Sequence, residues 1–96
     1  MKVNLLYAVK DGEMFREIPE ATRANLASFD SPFSGEDAAD HAFRVTNAPT
    51  SVLSPADAAI ARNLRMARVR SLSVGDAVEV NGEIFMCCGC GWKKIN

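Results

Sequence analysis

The pair Asn81–Gly82 constrains the fold of this chain more than any other two residues. It follows a run in which apolar side chains alternate, with Val78 and Val80 two positions apart. A two-residue type I′ turn needs positive φ at both central positions, which asparagine and glycine tolerate. Together with turn signals at Gly75–Asp76 and at the Gly-x-Gly of 89–91, the pattern predicts a meander of three or four antiparallel strands in this part of the chain.

Two helices are predicted ahead of the meander. The first begins after Ser34 and ends before Pro49, because proline cannot continue a helix. Its predicted buried face follows helical spacing: Ala39, Ala42, Phe43 and Thr46. The second begins at Ser54–Asp57 ("SPAD"), where serine is the N-cap, proline the first helical residue and aspartate the capping-box acid. Its predicted apolar stripe is Ala56, Ile60, Leu64 and Ala67.

The N-terminal third is predicted to contribute one strand and a loop. Lys2–Val9 is mostly apolar and reads as a strand that joins the meander, followed by a turn at Lys10–Glu13 and a second short strand at Glu13–Ile18. Residues 19–35 are predicted to form an ordered loop or short helical turn. That segment is expected to pack three apolar side chains onto the body: Leu26, Phe29 and Phe33.

This order of elements predicts an α+β fold. A small antiparallel sheet, made of the N-terminal strand and the C-terminal meander, would carry two helices on one face. The 96 residues suit a single domain spanning 1–96. No apolar run approaches the roughly 18 residues of a membrane span, and the acidic residues after the first apolar stretch argue against a signal peptide. A cytoplasmic protein without a membrane partner is therefore expected, as a monomer or weak dimer.

The C-terminal cysteines invite a metal or redox interpretation. Cys87 and Cys88 are neighbours on a predicted strand, so they should point to opposite faces of the sheet. Cys87 and Cys90 form a Cys-x-x-Cys pair, but a structural zinc site needs four ligands. Two chains could complete such a site across a two-fold axis, and a redox pair is a further alternative. The favoured interpretation is structural, with one cysteine packed inward as a small apolar residue, and no metal or other cofactor is expected.

Two further groups are candidates for function. His41 lies four residues after Asp37, a pair that could act as a general base, but no nucleophile motif accompanies it and a solvent-facing histidine is expected. A basic stripe on and after the second helix suits a phosphate, a nucleic acid or an acidic protein surface. It comprises Arg62, Arg65, Arg68 and Arg70. We expect these arginines to bind a partner, and no catalytic residue is predicted.

The second half of the chain resembles a known family. The segments "TNAP" (Thr46–Pro49), "RSLSVGDAVEVNGE" (Arg70–Glu83) and "GW" (Gly91–Trp92) are similar to YodL-like proteins of phages, plasmids and integrated elements. The resemblance covers about residues 36–96 and is densest over 70–92. The cysteine-rich strand departs from the family pattern, which has tyrosine, valine or a single cysteine there.

The resemblance implies an accessory protein of a mobile element. Such a protein would bind and sterically block a host protein or ribonucleoprotein machine, anti-CRISPR inhibition of a CRISPR effector complex being one instance. The alternatives are a nucleic-acid-associated regulatory module that uses the basic helix and a metal or redox protein built on the cysteines. The chain carries a formal net charge of −1, with an acidic first part and a basic second part, which favours protein contacts of mixed sign.

Overall fold

A computed structural model describes all 96 residues and shows an antiparallel sheet with two helices. The predicted α+β class is confirmed. The strands are β1 (Lys2–Ala8), β2 (Arg23–Asp30), β3 (Ala77–Val80), β4 (Glu83–Cys88) and β5 (Gly91–Lys94), and the helices are α1 (Gly35–Asn47) and α2 (Pro55–Met66), with a 3₁₀ turn at Thr50–Val52 between them. The five strands lie in the order β2-β1-β3-β4-β5.

The predicted hairpin is present, and the N-terminal strand joins the C-terminal meander in one sheet, as predicted. Asn81 and Gly82 have φ angles of 52° and 84°, as a type I′ turn requires, and they join β3 to β4. The N-terminal strand β1 pairs with β3, with Val3 opposite Val80 and Leu5 opposite Val78. β1 and β3, which are far apart in sequence, are therefore neighbours in the middle of the sheet.

The prediction for residues 19–35 is wrong over Arg23–Asp30, which forms the edge strand β2. This strand pairs with β1, and a register shift at Leu5/Leu6 marks a bulge. Among its side chains, Ala27 and Phe29 pack against the core while most of the others are partly or fully exposed. An edge strand with so few inward residues has little of the alternation by which strands are recognised.

The short strand predicted over Glu13–Ile18 is also wrong, because this segment forms turns. Its backbone lies against the start of β3. A Cβ atom added at Gly75, whose φ is 94°, would lie 2.5 Å from the carbonyl oxygen of Arg16. Glycine is needed at this position for both the close approach and the backbone conformation.

The core lies between the helices and one face of the sheet. It consists of Val3, Leu5, Tyr7, Ala38, Ala39, Ala42, Val45, Leu64, Leu72, Val78, Val80 and Phe85. α1 contributes three alanines and one valine to it, so the helix backbone can approach the sheet closely. Neither helix has both the length and the apolar character to cross a membrane.

The predicted buried faces of the helices need correction. Phe43 is 39% exposed, and the buried face of α1 instead includes His41 and Val45. On α2, Ala56 and Ala67 are exposed while Ala58 and Ala61 are buried. Alanine-rich helices have several small faces, so the spacing of apolar residues alone does not decide which one turns inward.

The two predicted helix starts differ in their capping. Ser54 accepts a hydrogen bond from the backbone N–H of Asp57 at 3.2 Å, and Pro55 is the first helical residue. Ser34 occupies the N-cap position of α1, but its side chain makes no capping hydrogen bond. For α2, both the predicted first residues and the predicted capping hydrogen bond are thus confirmed. For α1, only the predicted N-cap position is confirmed.

Candidate functional site

Three of the four predicted arginines lie together on the surface at the end of α2. Arg62 and Arg65 are one helical turn apart and exposed, and Met66 lies beside them, 80% exposed. Arg68 follows the end of the helix with a positive φ of 60°. We call Arg62, Arg65, Met66 and Arg68 the α2 patch.

The arginines of the α2 patch have no carboxylate partner. The four ion pairs of the molecule all involve other residues. Arg65 is held in place by one hydrogen bond, from its Nη2 to the carbonyl oxygen of Ala48 at 3.0 Å. The patch therefore presents positive charge that nothing within the chain neutralises.

The fourth predicted arginine, Arg70, lies apart from the α2 patch. Its guanidinium pairs with Asp76, with Nη2 donating to Oδ1 at 2.7 Å and Nη1 donating to Oδ2. The same carboxylate is fully buried and also accepts the backbone N–H groups of Ala8 and Ser73 at 2.9 Å each. A bidentate pair with two further donors satisfies this buried charge.

Two aromatic rings enclose the Arg70 guanidinium. It lies 5.0 Å from the ring centroid of Tyr7 and 5.3 Å from that of Phe15, within the range of cation–π attraction. The Tyr7 hydroxyl donates to the carbonyl oxygen of Arg70 at 2.8 Å. Burial, and then the Asp76 carboxylate, raise the pKa of Tyr7 to about 12. Arg70 thus links β1, the turn segment and the start of β3.

His41 is buried, with 3% exposure, so the expectation of a solvent-facing histidine is wrong. Its Nδ1 lies 2.7 Å from Ser31 Oγ, and its Nε2 lies 2.7 Å from Asp57 Oδ1. Asp57 on α2 is therefore its partner, instead of Asp37 on the same helix. The rings of Phe29 and Phe33 meet the imidazole edge-on at 5.3 and 5.2 Å.

Ser31, His41 and Asp57 are connected by hydrogen bonds in that order. Nucleophilic catalysis also uses a serine, a histidine and a carboxylate connected in this way. Here, however, Ser31 is buried and its Oγ accepts the backbone N–H of Phe33 at 3.1 Å. Because the Asp57 carboxylate can only accept, His41 Nε2–H donates to it, and Nδ1 of the neutral imidazole then accepts a hydrogen bond from the Ser31 hydroxyl. Both ring nitrogens of His41 are hydrogen-bonded and the Ser31 hydroxyl is buried, which favours a structural role. The three side chains connect the end of β2 to α1 and α2.

A shallow cleft of about 220 Å³ lies above His41. It is lined by Phe33, Asp37, Asp40, His41 and Arg44. Arg44 lies 3.6 Å from Asp57, and Asp40 accepts the indole N–H of Trp92 at 2.8 Å. The lining thus combines two carboxylates with one guanidinium, whereas the charged groups of the α2 patch are all cationic.

The cysteines occupy three different environments. Cys87 is buried, Cys88 is half-buried and Cys90 is exposed, and none forms a disulfide. Burial raises the pKa of Cys87 to about 11. Burial and then a hydrogen bond with Glu17 raise the pKa of Cys88. Both pKa values are thus shifted upward, opposite to the lowered pKa of a redox-active cysteine. No group of three or more His, Cys, Asp or Glu side chains is placed to hold a metal ion.

Sequence reasoning missed the residues that organise these sites. The partners of His41 and Arg70 lie on other parts of the chain. The only local signal was the capping box Ser54–Asp57, which places Asp57 at the start of α2.

Searches against protein-family models, curated proteins and solved structures found no match to this chain.

Proposed function

We propose that this chain is a binding protein without catalytic activity of its own that occupies a surface of a macromolecular partner. The observation that supports this most is the α2 patch. Three exposed arginines and an exposed methionine lie within residues 62–68, and none of the three arginines has an ion-pair partner within the chain. Arginine and methionine are both enriched in protein interfaces, and arginine is frequent among the residues that dominate binding energy.

The proposed partner is a host protein or ribonucleoprotein complex, met in the cytoplasm and blocked by steric occlusion. This part of the proposal rests on the resemblance of residues 36–96 to proteins of mobile elements. A CRISPR effector complex is one such target. A protein that blocks by occupancy needs a stable scaffold and an exposed patch, and the enclosed Ser31, His41 and Asp57 fit a scaffold role.

The second candidate is a nucleic-acid-associated module that uses the same arginines. It is favoured by the cationic character of the patch alone. The two candidates differ in salt dependence, because phosphate contacts release counterions and nucleic-acid binding weakens steeply between roughly 50 and 200 mM salt.

Affinity capture tests the proposal. The immobilised protein is incubated with nuclease-treated and untreated host lysate, beside a variant with Arg62→Glu, Arg65→Glu and Arg68→Glu. A matched control carries the same charge change at three other exposed lysines, Lys2, Lys10 and Lys93. We expect a defined complex that survives nuclease, is retained by the lysine control and is lost with the arginine variant. The captured complex should then be inhibited stoichiometrically. Capture that the arginine variant retains would refute the proposal.

A further inference from the structure

We infer that the α2 patch binds a protein segment that carries carboxylates beside an apolar side chain, and not a nucleic-acid backbone. The inference rests on the proposed function and specifies the chemistry of its partner. It follows from three features of the patch: the exposed methionine, the lack of an aromatic ring and the charge of the neighbouring helix.

Met66 is the most exposed of the large apolar side chains, at 80%. It lies four positions after Arg62 on α2, so the two side chains are neighbours on the helix surface and Met66 flanks the cationic groups on the side away from Arg65. A flexible thioether adapts to irregular apolar partners. Phosphate contacts do not require an exposed apolar side chain beside the arginines, whereas a protein partner can cover one.

The α2 patch contains no aromatic side chain. Proteins that bind single-stranded nucleic acid stack bases on aromatic rings. The exposed phenylalanines Phe15, Phe33 and Phe43 all lie on other segments. Three arginines without a stacking surface would hold a nucleic acid only through a few phosphate contacts, which give weak binding at physiological salt.

The charge of α1 also favours a partner whose negative charge is confined to a few groups at the α2 patch, in contrast to the continuous charge of a nucleic-acid backbone. Glu36, Asp37 and Asp40 are exposed on the first half of α1, which packs beside α2. These carboxylates lie towards the start of α2, where His41 contacts Asp57, so a polyanion that extended from the α2 patch along α2 to that end would be repelled. A protein segment can offer negative charge to the arginines and end or change sign before it reaches α1.

The spacing of the patch defines the matching segment. Arg62 and Arg65 are three residues apart on α2, roughly 4.5 Å along the axis, and Met66 lies beside Arg62. Arg65 already donates one N–H to Ala48, which limits its motion and leaves other donors for a carboxylate. Two carboxylates about one turn apart, with an apolar side chain beside one of them, would contact these groups together.

Fluorescence anisotropy tests the inference with defined probes. The first probe is a labelled helical peptide in which glutamates one turn apart flank leucines. Its two matched forms replace every glutamate by glutamine or every leucine by serine. A short single-stranded RNA and a short DNA duplex complete the set. We expect the protein to prefer the glutamate–leucine peptide to every other probe by about tenfold or more.

Point variants assign that binding to the patch. Arg62→Glu should weaken peptide binding about tenfold or more, and Met66→Ser should weaken it severalfold without changing the charge. Leu26→Ser, which removes an exposed apolar side chain from β2, is the matched control and should bind like the parent. An unaffected Met66→Ser variant, tighter binding of either nucleic acid, or no binding of the peptide would overturn the inference.

These results separate the inference from the proposed function. If the lysate partner depends on the arginines but the probes favour nucleic acid, the proposed binding role stands and the partner chemistry is wrong. If the arginine variant captures the partner unchanged, the proposed role itself fails. Sedimentation of the protein alone completes the test, since a dimer formed through Met66 would show that the patch is covered by a second copy and would also overturn the inference.

Discussion

Four arginines within nine residues divide into two regions with opposite roles. Arg62, Arg65 and Arg68 lie on the surface without ion-pair partners, whereas Arg70 is paired with the buried Asp76 and lies between two aromatic rings. All four are arginines, two or three positions apart in the sequence. The difference arises because the chain leaves α2 after Met66 and brings Arg70 to Asp76, Tyr7 and Phe15.

The contrast shows why a basic stripe in a sequence is not by itself a binding surface. A guanidinium in a buried bidentate pair stabilises the fold and is not available to a partner. An unpaired guanidinium on a helix surface contributes little to stability and is free to bind. Substitutions in the two regions should therefore have opposite consequences for folding and for binding.

The largest effect on stability should come from Arg70→Ala. It leaves the fully buried Asp76 carboxylate without its cation, although the backbone N–H groups of Ala8 and Ser73 remain. Breaking such a pair costs about 3–5 kcal/mol. Denaturant unfolding measures the loss, with Arg62→Ala as the matched control, expected to stay within about 0.5 kcal/mol. Equal effects of the two substitutions would show that the division between the regions is wrong.

A smaller loss is expected for His41→Ala. It leaves the buried Ser31 hydroxyl without its acceptor, removes the donor to Asp57 and opens a cavity between Phe29 and Phe33. We expect a loss of about 2–3 kcal/mol in the free energy of unfolding. Asp37→Ala is the control, because that carboxylate has the sequence spacing of a partner but is exposed. Destabilisation by Asp37→Ala that matches that of His41→Ala would contradict the assignment of Asp57 as the partner.

Much of the fold could be predicted from local signals. The Asn81–Gly82 turn, the Ser54–Pro55 helix start and the apolar strand at the N-terminus each depend on the conformational preferences of a few neighbouring residues. β2 could not be predicted in this way, because an edge strand with only Ala27 and Phe29 packed inward lacks a clear alternating pattern.

For the candidate site, the sequence indicates which residues are involved but not which of them are exposed or what they contact. The residue type and the helical spacing indicate the three arginines of the α2 patch. The burial of Arg70 depends on Tyr7, which is 63 positions away, and on the turn segment that carries Phe15. Such long-range contacts leave no local pattern. The same holds for His41, whose orientation is decided by which alanine face of α1 packs on the sheet.

A milder effect should appear at alkaline pH. Burial raises the pKa of Cys87 from an ordinary value of 9.0 to about 11 and that of Tyr7 from 10.0 to about 12. The unfolded chain therefore loses these protons at lower pH than the folded chain, so the stabilisation is complete below pH 9 and decreases between about pH 9 and 12. Unfolding titrations across this range should show the decline, reduced over its lower part in Cys87→Ala. A flat profile would contradict the enclosed environment of both groups.

The central claim is that the α2 patch binds a partner without supporting the fold, and one paired measurement tests it most directly. The variant with Arg62→Glu, Arg65→Glu and Arg68→Glu is compared with the parent in thermal unfolding and in capture of the host complex. We predict an unfolding free energy within about 1 kcal/mol of the parent, as for exposed substitutions, together with loss of the captured complex. Capture equal to that of the parent, or a variant that unfolds, would contradict the account.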